Sequence, residues 1–192
     1  MRHKIYINNK ISDKPARLDP LLIRRVVKSA LDAENVDVPC EISVLITNDF
    51  EIQAINREYR GIDAPTDVLS FPLCVFAPGE FSAADGETDM SSGLLPLGDI
   101  VLCAPQVDRQ AAEFGQTRER ETAYLVIHSV LHLLGYDHLD EGEQKKQMRA
   151  REKEILKESG YTANVSEPPR SGVNIERSVI FRRRALPDED EK

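Results

Sequence analysis

Long apolar runs are missing from this sequence. No stretch approaches the ~18 consecutive apolar residues that a membrane-spanning helix needs. The opening residues, MRHKIYINNK, have no apolar segment of the secretory kind. A cytoplasmic protein with no membrane partner is therefore expected. Cysteine is scarce: Cys40, Cys74 and Cys103 lie far apart, with no Cys-x-x-Cys pair. That pattern speaks against a disulfide framework. Each cysteine sits in or beside an apolar run, where a thiol behaves as a small hydrophobe. Basic charge is also short, with 25 Lys and Arg against 33 Asp and Glu and a net charge of −8. Taken alone, this argues against a general nucleic-acid binder. The acid is unevenly spread, however. Residues 78–92 hold Glu80, Asp85, Glu87 and Asp89 without a Lys or Arg, and the tail ends Asp188-Glu189-Asp190-Glu191-Lys192. The remainder is close to neutral and leaves room for a local basic patch.

What is present is an ordinary globular composition, 41% hydrophobic and 30% charged over 192 residues. That length suffices for one domain with extensions. Strands are expected at residues 4–8, 41–47, 67–73 and 97–103, the second with Ile42, Val44 and Ile46 on one face. Asp19-Pro20 reads as an N-cap followed by proline at the first helical position. Leu22, Ile23, Val26, Val27 and Ala30 then recur at helical spacing. Asn48-Asp49-Phe50-Glu51 resembles a capping box, and its helix is expected to reach Tyr59 before a loop over residues 60–66. Beyond Pro105 two helices are expected, at about residues 117–134 and 140–159, stopped by Gly135 and Gly160. Residues 77–93 are acidic, contain Gly and Ser and have no period, and read as a mobile insertion. The expected organisation is one domain over residues 1–160 carrying that insertion, then a flexible extension over 161–192 with Pro168-Pro169 and Arg182-Arg183-Arg184.

The chemistry concentrates in HSVLHLLGYDH, residues 128–138, which holds three of the four histidines. His128 and His132, four apart on an apolar helix, share a face. Gly135 lets the chain turn back so that His138 can reach the same point. Three imidazoles with a fourth position open describe a catalytic zinc site, one ion per chain. Imidazole also suits nickel, manganese and iron. The spacing HxxxHxxGxxH is that of the metzincin proteases. Those carry a Glu after the first histidine as general base, where this chain has Ser129, and a serine hydroxyl is no base at neutral pH. Asp137 is the nearest carboxylate. It can orient a ligand histidine, accept a proton in catalysis, or cap the turn.

A second constellation runs from Asn56-Arg57-Glu58-Tyr59-Arg60-Gly61 into Pro65-Thr66-Asp67-Val68-Leu69-Ser70-Phe71-Pro72. Arg60 offers a fixed planar cation suited to phosphate, or it pairs with Asp63 or Asp67 and only pins its loop. Together, NREYRGIDAPTDVLSFP and HSVLHLLGYDH resemble the YbeY family of bacterial endoribonucleases and rRNA maturation factors, and Leu97-Gly98-Asp99-Ile100 fits the same pattern. The resemblance covers about residues 4–161. It implies an α+β fold, a small mixed sheet of about four strands flanked by helices, with a C-terminal metal-binding helix-turn. It implies zinc on His128, His132 and His138, and a functionally important arginine at Arg60. The implied activity is metal-dependent cleavage of single-stranded RNA in 16S rRNA 3′-end maturation and ribosome quality control. The partners would be single-stranded RNA, rRNA and the small ribosomal subunit, not DNA. Ser129 departs from the glycine usual in the family, and the insertion and tail are longer than usual. Two rival readings are a metzincin-like metalloprotease and a ribosome-assembly factor whose zinc is mainly structural.

Overall fold

Alternation of apolar and polar residues builds the sheet, and the helices cover its two faces. The computed structural model describes residues 3–13, 16–137 and 142–162. In chain order these form β1 (Lys4–Asn9), α1 (Pro20–Ala33), β2 (Cys40–Thr47), α2 (Asp49–Arg60), β3 (Val68–Pro72), β4 (Leu95–Cys103), α3 (Ala104–Glu113), α4 (Arg118–Leu133) and α5 (Glu143–Glu158). The sheet order is β1-β2-β4-β3. β1, β2 and β4 run parallel, and β3 is an antiparallel edge strand on β4. The α+β class and the small mixed sheet expected from the sequence are therefore those of the structure.

One sheet face is the main core. Ile5, Ile42, Val44, Ile46, Leu97, Ile100 and Leu102 pack there with Val26 and Val27 of α1 and Leu125, Ile127 and Leu131 of α4. The opposite face is smaller: Ile52 of α2 covers Leu69, Val101 and Cys103. The β2–β4 register slips once, so that Glu41 faces Pro96 while Ile42 faces Gly98. Leu97 is the extra residue, and this bulge lets Leu95 and Leu97, then Ile100 and Leu102, all point to the main core. Gly98 makes the bulge possible. Its φ is +144°, and a Cβ there would lie 2.2 Å from the Phe71 carbonyl oxygen and 2.9 Å from Leu133 Cδ2.

The caps act as expected. The Asp19 carboxylate accepts from the Leu21 amide at 2.9 Å, and the Asn48 side chain from the Glu51 amide at 3.0 Å. One boundary needs correction. The helix expected to end at Tyr59 continues through Arg60, because Gly61, at φ +67°, is the residue that turns left-handed. α3 is an element the sequence reading missed. Its N-cap, Cys103, makes no side-chain capping bond, and its buried stripe is Ala104, Val107, Gln110 and Ala111. So short and weakly apolar a stripe carries little periodic signal.

Residues 77–93 pack more than their composition suggests. They hold a short 3-10 turn at Ala83–Asp85 and bridges between Ala77 and Glu80 and between Asp89 and Leu94. Phe81 lies against Phe76 with ring centroids 5.2 Å apart. Gly86 lies close against Leu95 and Cys74, where a Cβ would come within 2.6 Å of Leu95 Cδ1, while Met90 is 97% exposed. At the end of the domain Arg25 of α1 hydrogen-bonds the Tyr161 hydroxyl, its guanidinium 5.7 Å from that ring's centroid. The extension expected over 161–192 lies outside the described residues from 163 onward. Burial pushes the Cys40 and Cys103 thiols up to about 12, consistent with their expected role as small hydrophobes. Among the described residues no helix is long and apolar enough to cross a membrane.

Gly98→Ala is expected to cost more than about 2 kcal/mol, since it adds left-handed strain to a backbone clash. Urea unfolding of the variant checks this, and a loss below about 0.5 kcal/mol would mean the bulge can relax away.

Candidate metal centre

α4 is buried almost all round because it packs against α1, α3, α5, β3 and β4. Thr117 caps its start, accepting from the Arg120 amide at 3.2 Å. Near its far end His128 and His132 are 1% and 0% exposed. Polar side chains so placed must find partners within the protein. His128 Nδ1 lies 2.6 Å from Oε1 of Glu152 on α5, and His132 Nδ1 lies 2.9 Å from the Tyr136 carbonyl oxygen. A carbonyl oxygen only accepts, so His132 carries its hydrogen on Nδ1. A carboxylate places the His128 hydrogen on Nδ1 in the same way.

The two Nε2 atoms lie 3.1 Å apart, with the ring planes at 87°. With both rings neutral and their hydrogens on Nδ1, two lone pairs would meet there, and a shared proton or a metal ion between them would relieve the repulsion. The separation is close to the roughly 3.3 Å expected of two nitrogens each about 2.0–2.1 Å from one tetrahedral ion. The residues present thus fit a divalent metal favoured by imidazole. Both rings also have the outer hydrogen bonds that ligand histidines ordinarily make.

The turn after α4 supplies one of those bonds. Gly135 has φ +90°, and a Cβ there would sit 2.1 Å from the Phe76 carbonyl oxygen. The Tyr136 amide donates back to the Leu131 carbonyl at 3.0 Å, which brings its own carbonyl to His132. The Tyr136 hydroxyl donates to Glu34 Oε2 at 2.8 Å, and Arg151 of α5 bonds the other Glu34 oxygen. Burial, and then the Glu34 carboxylate, push the Tyr136 phenol well above its usual range. The turn is therefore tied to the C-terminal end of α1 and, through Glu34, to the middle of α5.

The remaining expected residues are placed as follows. His138 lies outside the described residues. Asp137, half-buried, is the residue next to Tyr136 in that turn. Among the described residues no group of three or more potential ligands is assembled, so the structure brings together two of the three expected histidines. Ser129 is fully buried, and its hydroxyl donates to the Leu125 carbonyl at 2.9 Å, one turn back in the same helix. It occupies the position of a metzincin base and has no chemistry of that kind.

Arg60 is the last residue of α2, next to Tyr59, whose ring meets Phe71 of β3 with centroids 5.2 Å apart. Its Nη1 donates to Asn56 Oδ1 at 3.3 Å, and buried Asn56 donates to the Ala64 carbonyl at 2.7 Å. Of the two carboxylates that could have pinned it, Asp63 accepts from Gln53 at 3.0 Å and lies 3.9 Å from Arg57. Asp67 accepts from Thr66, the Val68 amide and Gln110 at 3.1, 2.8 and 2.9 Å. Asp67 thereby joins the start of β3 to α3.

Glu152 is the site residue that sequence reasoning missed. A signal existed: α5 buries Lys145, Met148, Glu152, Ile155 and Leu156, so a carboxylate stands in the middle of the helix's inward stripe.

The fold and site define an α+β protein whose central helix presents two converging imidazoles beside a mixed four-stranded sheet. A family model for endoribonuclease YbeY matches residues 6–160. The chain belongs to that family. Relatives named endoribonuclease YbeY include one from Lachnoclostridium phytofermentans, 46% identical over 143 residues, which is 72% of this chain and 86% of the relative. One from Clostridium botulinum strain Hall is 43% identical over 162 residues, 81% of this chain and 92% of the relative. A solution structure of TM1509 from Thermotoga maritima is similar with a TM-score of 0.48 at 25% identity, over 84% of this chain and 99% of that one.

Gly135→Ala is expected to displace the turn that holds His132, because the added Cβ meets backbone and not a movable side chain. A melting temperature lowered by several degrees, corresponding to more than about 2 kcal/mol, checks this. An unchanged melting temperature would show that the turn tolerates another conformation.

Proposed function

We propose that this protein is a zinc-dependent endoribonuclease that cleaves single-stranded RNA. Its physiological role is 3′-end maturation of 16S rRNA and ribosome quality control, in the cytoplasm and in contact with the small ribosomal subunit. Family membership supports the RNA-cleaving activity. The observation that carries the metal reading is the pair of Nε2 atoms 3.1 Å apart, with both Nδ1 atoms already hydrogen-bonded. His138, at the expected spacing after Gly135, is the third ligand of the proposal. A zinc ion bound there supplies Lewis acidity at the phosphoryl group.

The chain's own residues have distinct tasks. Glu152 and the Tyr136 carbonyl keep both Nε2 lone pairs turned toward the site, and burial of the rings keeps bulk water from competing. Arg60 meets the charge that develops on the phosphoryl oxygens. Asp137 orients the turn or accepts the proton of the attacking hydroxyl, whether that belongs to water or to the RNA ribose. Ser129 takes no part, since its hydroxyl is spent within α4.

The deciding experiment measures RNA cleavage and zinc content on highly purified wild type and His132→Ala. Close to one zinc per chain in the wild type, lost with the activity in a folded variant, supports the proposal. A variant that keeps its zinc and its activity overturns it. Loss of folding and of ribosome binding together would instead favour a structural zinc in an assembly factor.

The role of Arg60 has its own test. Cleavage rate should fall in the order wild type, Arg60→Lys, Arg60→Ala, with the last lower by about 10²–10³, while zinc content and melting temperature barely change. Normal cleavage by a folded Arg60→Ala would remove the phosphate role. Ser129→Ala should cleave RNA within about threefold of wild type, as expected for a hydroxyl that only back-bonds within its helix.

A further inference from the structure

We propose that Glu152 is a positioning residue of the metal centre, acting through His128. The inference rests on the zinc reading above and goes beyond it in assigning a task to α5. Glu152 is 5% exposed, on a helix that otherwise turns Met148, Ile155 and Leu156 inward. A carboxylate in that position pays heavily for lost hydration unless it is strongly hydrogen-bonded. Its Oε1 lies 2.6 Å from His128 Nδ1, the short distance of a charge-assisted bond. Its Oε2 lies 3.4 Å from the Tyr124 hydroxyl, one turn before His128 on α4. The carboxylate is thus held from two sides, and the bond to His128 sets both the tautomer and the rotation of that ring.

The consequence for the site is electronic and geometric. With its hydrogen held on Nδ1, His128 has its Nε2 lone pair directed at His132 Nε2, 3.1 Å away. A carboxylate on the far side of an imidazole also raises the ring's basicity, and so its strength as a ligand. The Nδ1 of His132 faces the neutral Tyr136 carbonyl instead. The charged partner at His128 is supplied by α5, docked beside it.

The test uses zinc alone as the probe and needs no RNA. Zinc affinity is measured by competition with a chromophoric chelator for wild type, Glu152→Gln and Glu152→Asp, beside the melting temperature of each metal-free protein. Gln keeps the shape and an accepting oxygen but loses the charge; Asp keeps the charge but falls short of the ring. The expected result is zinc affinity weaker by about 10–100-fold in both, with a metal-free melting temperature close to wild type for Glu152→Gln, which still accepts from His128, and a lowered one for Glu152→Asp, which leaves the buried Nδ1 without its acceptor. A residue that merely docks α5 would lower the melting temperature and leave affinity intact, and that outcome overturns the positioning role. If the wild type itself binds no zinc, the metal reading fails first and the positioning role falls with it. Tight wild-type binding with unaltered variants overturns the positioning role alone.

Discussion

Two imidazoles buried near the end of α4 leave the surrounding chain little freedom. Each ring nitrogen must be satisfied without water, since an orphaned polar group in such a place costs about as much as a point mutation can. Glu152 of α5 satisfies one Nδ1, and the carbonyl of Tyr136, beyond Gly135, satisfies the other. Both solutions come from outside α4. The helix that follows and the turn that leads to it are thus positioned by the same demand. The Tyr136–Glu34–Arg151 contacts extend it to the C-terminal end of α1. The two Nε2 atoms are thereby brought to 3.1 Å from each other.

That arrangement needs α4 to approach the sheet closely near its own end, and two backbone features allow it. The bulge at Leu97–Gly98 brings Leu133 against a residue with no Cβ, and Gly135 lies against the backbone of Phe76. A side chain at either place would push the histidine end of α4 off the sheet. The same bulge resets the alternation in β4, so the demands of packing and of the site are met by one irregularity.

Much of this was legible in order along the chain. The i, i+4 spacing of His128 and His132 depends only on the helical period, and the caps at Asp19 and Asn48 depend only on local hydrogen bonds. Ser129 was also readable as a non-base, since its chemistry does not change with context. Other residues were less open to such reading. Arg60 looked like a loop residue because the helix end is set by which residue turns left-handed, and Gly61 does so. α3 was missed because its buried stripe is mostly small or polar. Glu152 was overlooked among the many charges of Arg149-Ala150-Arg151-Glu152-Lys153-Glu154, because nothing local distinguishes the one that faces inward.

The sequence by itself determined the periods: which residues alternate, which recur on a helical face, where glycine and proline stop an element, and hence the shared face of the histidines; the α+β class came from the resemblance of its motifs to a known family. These periods follow from short-range geometry, in which each residue constrains neighbours a few positions away. Tertiary structure alone decided which groups meet across the chain. Glu152 reaches His128 over a separation of 24 residues, and Tyr136 reaches Glu34 over 102. Such pairings depend on how whole elements stack around α4, and the energy that selects them belongs to the completed core and to no single segment of it.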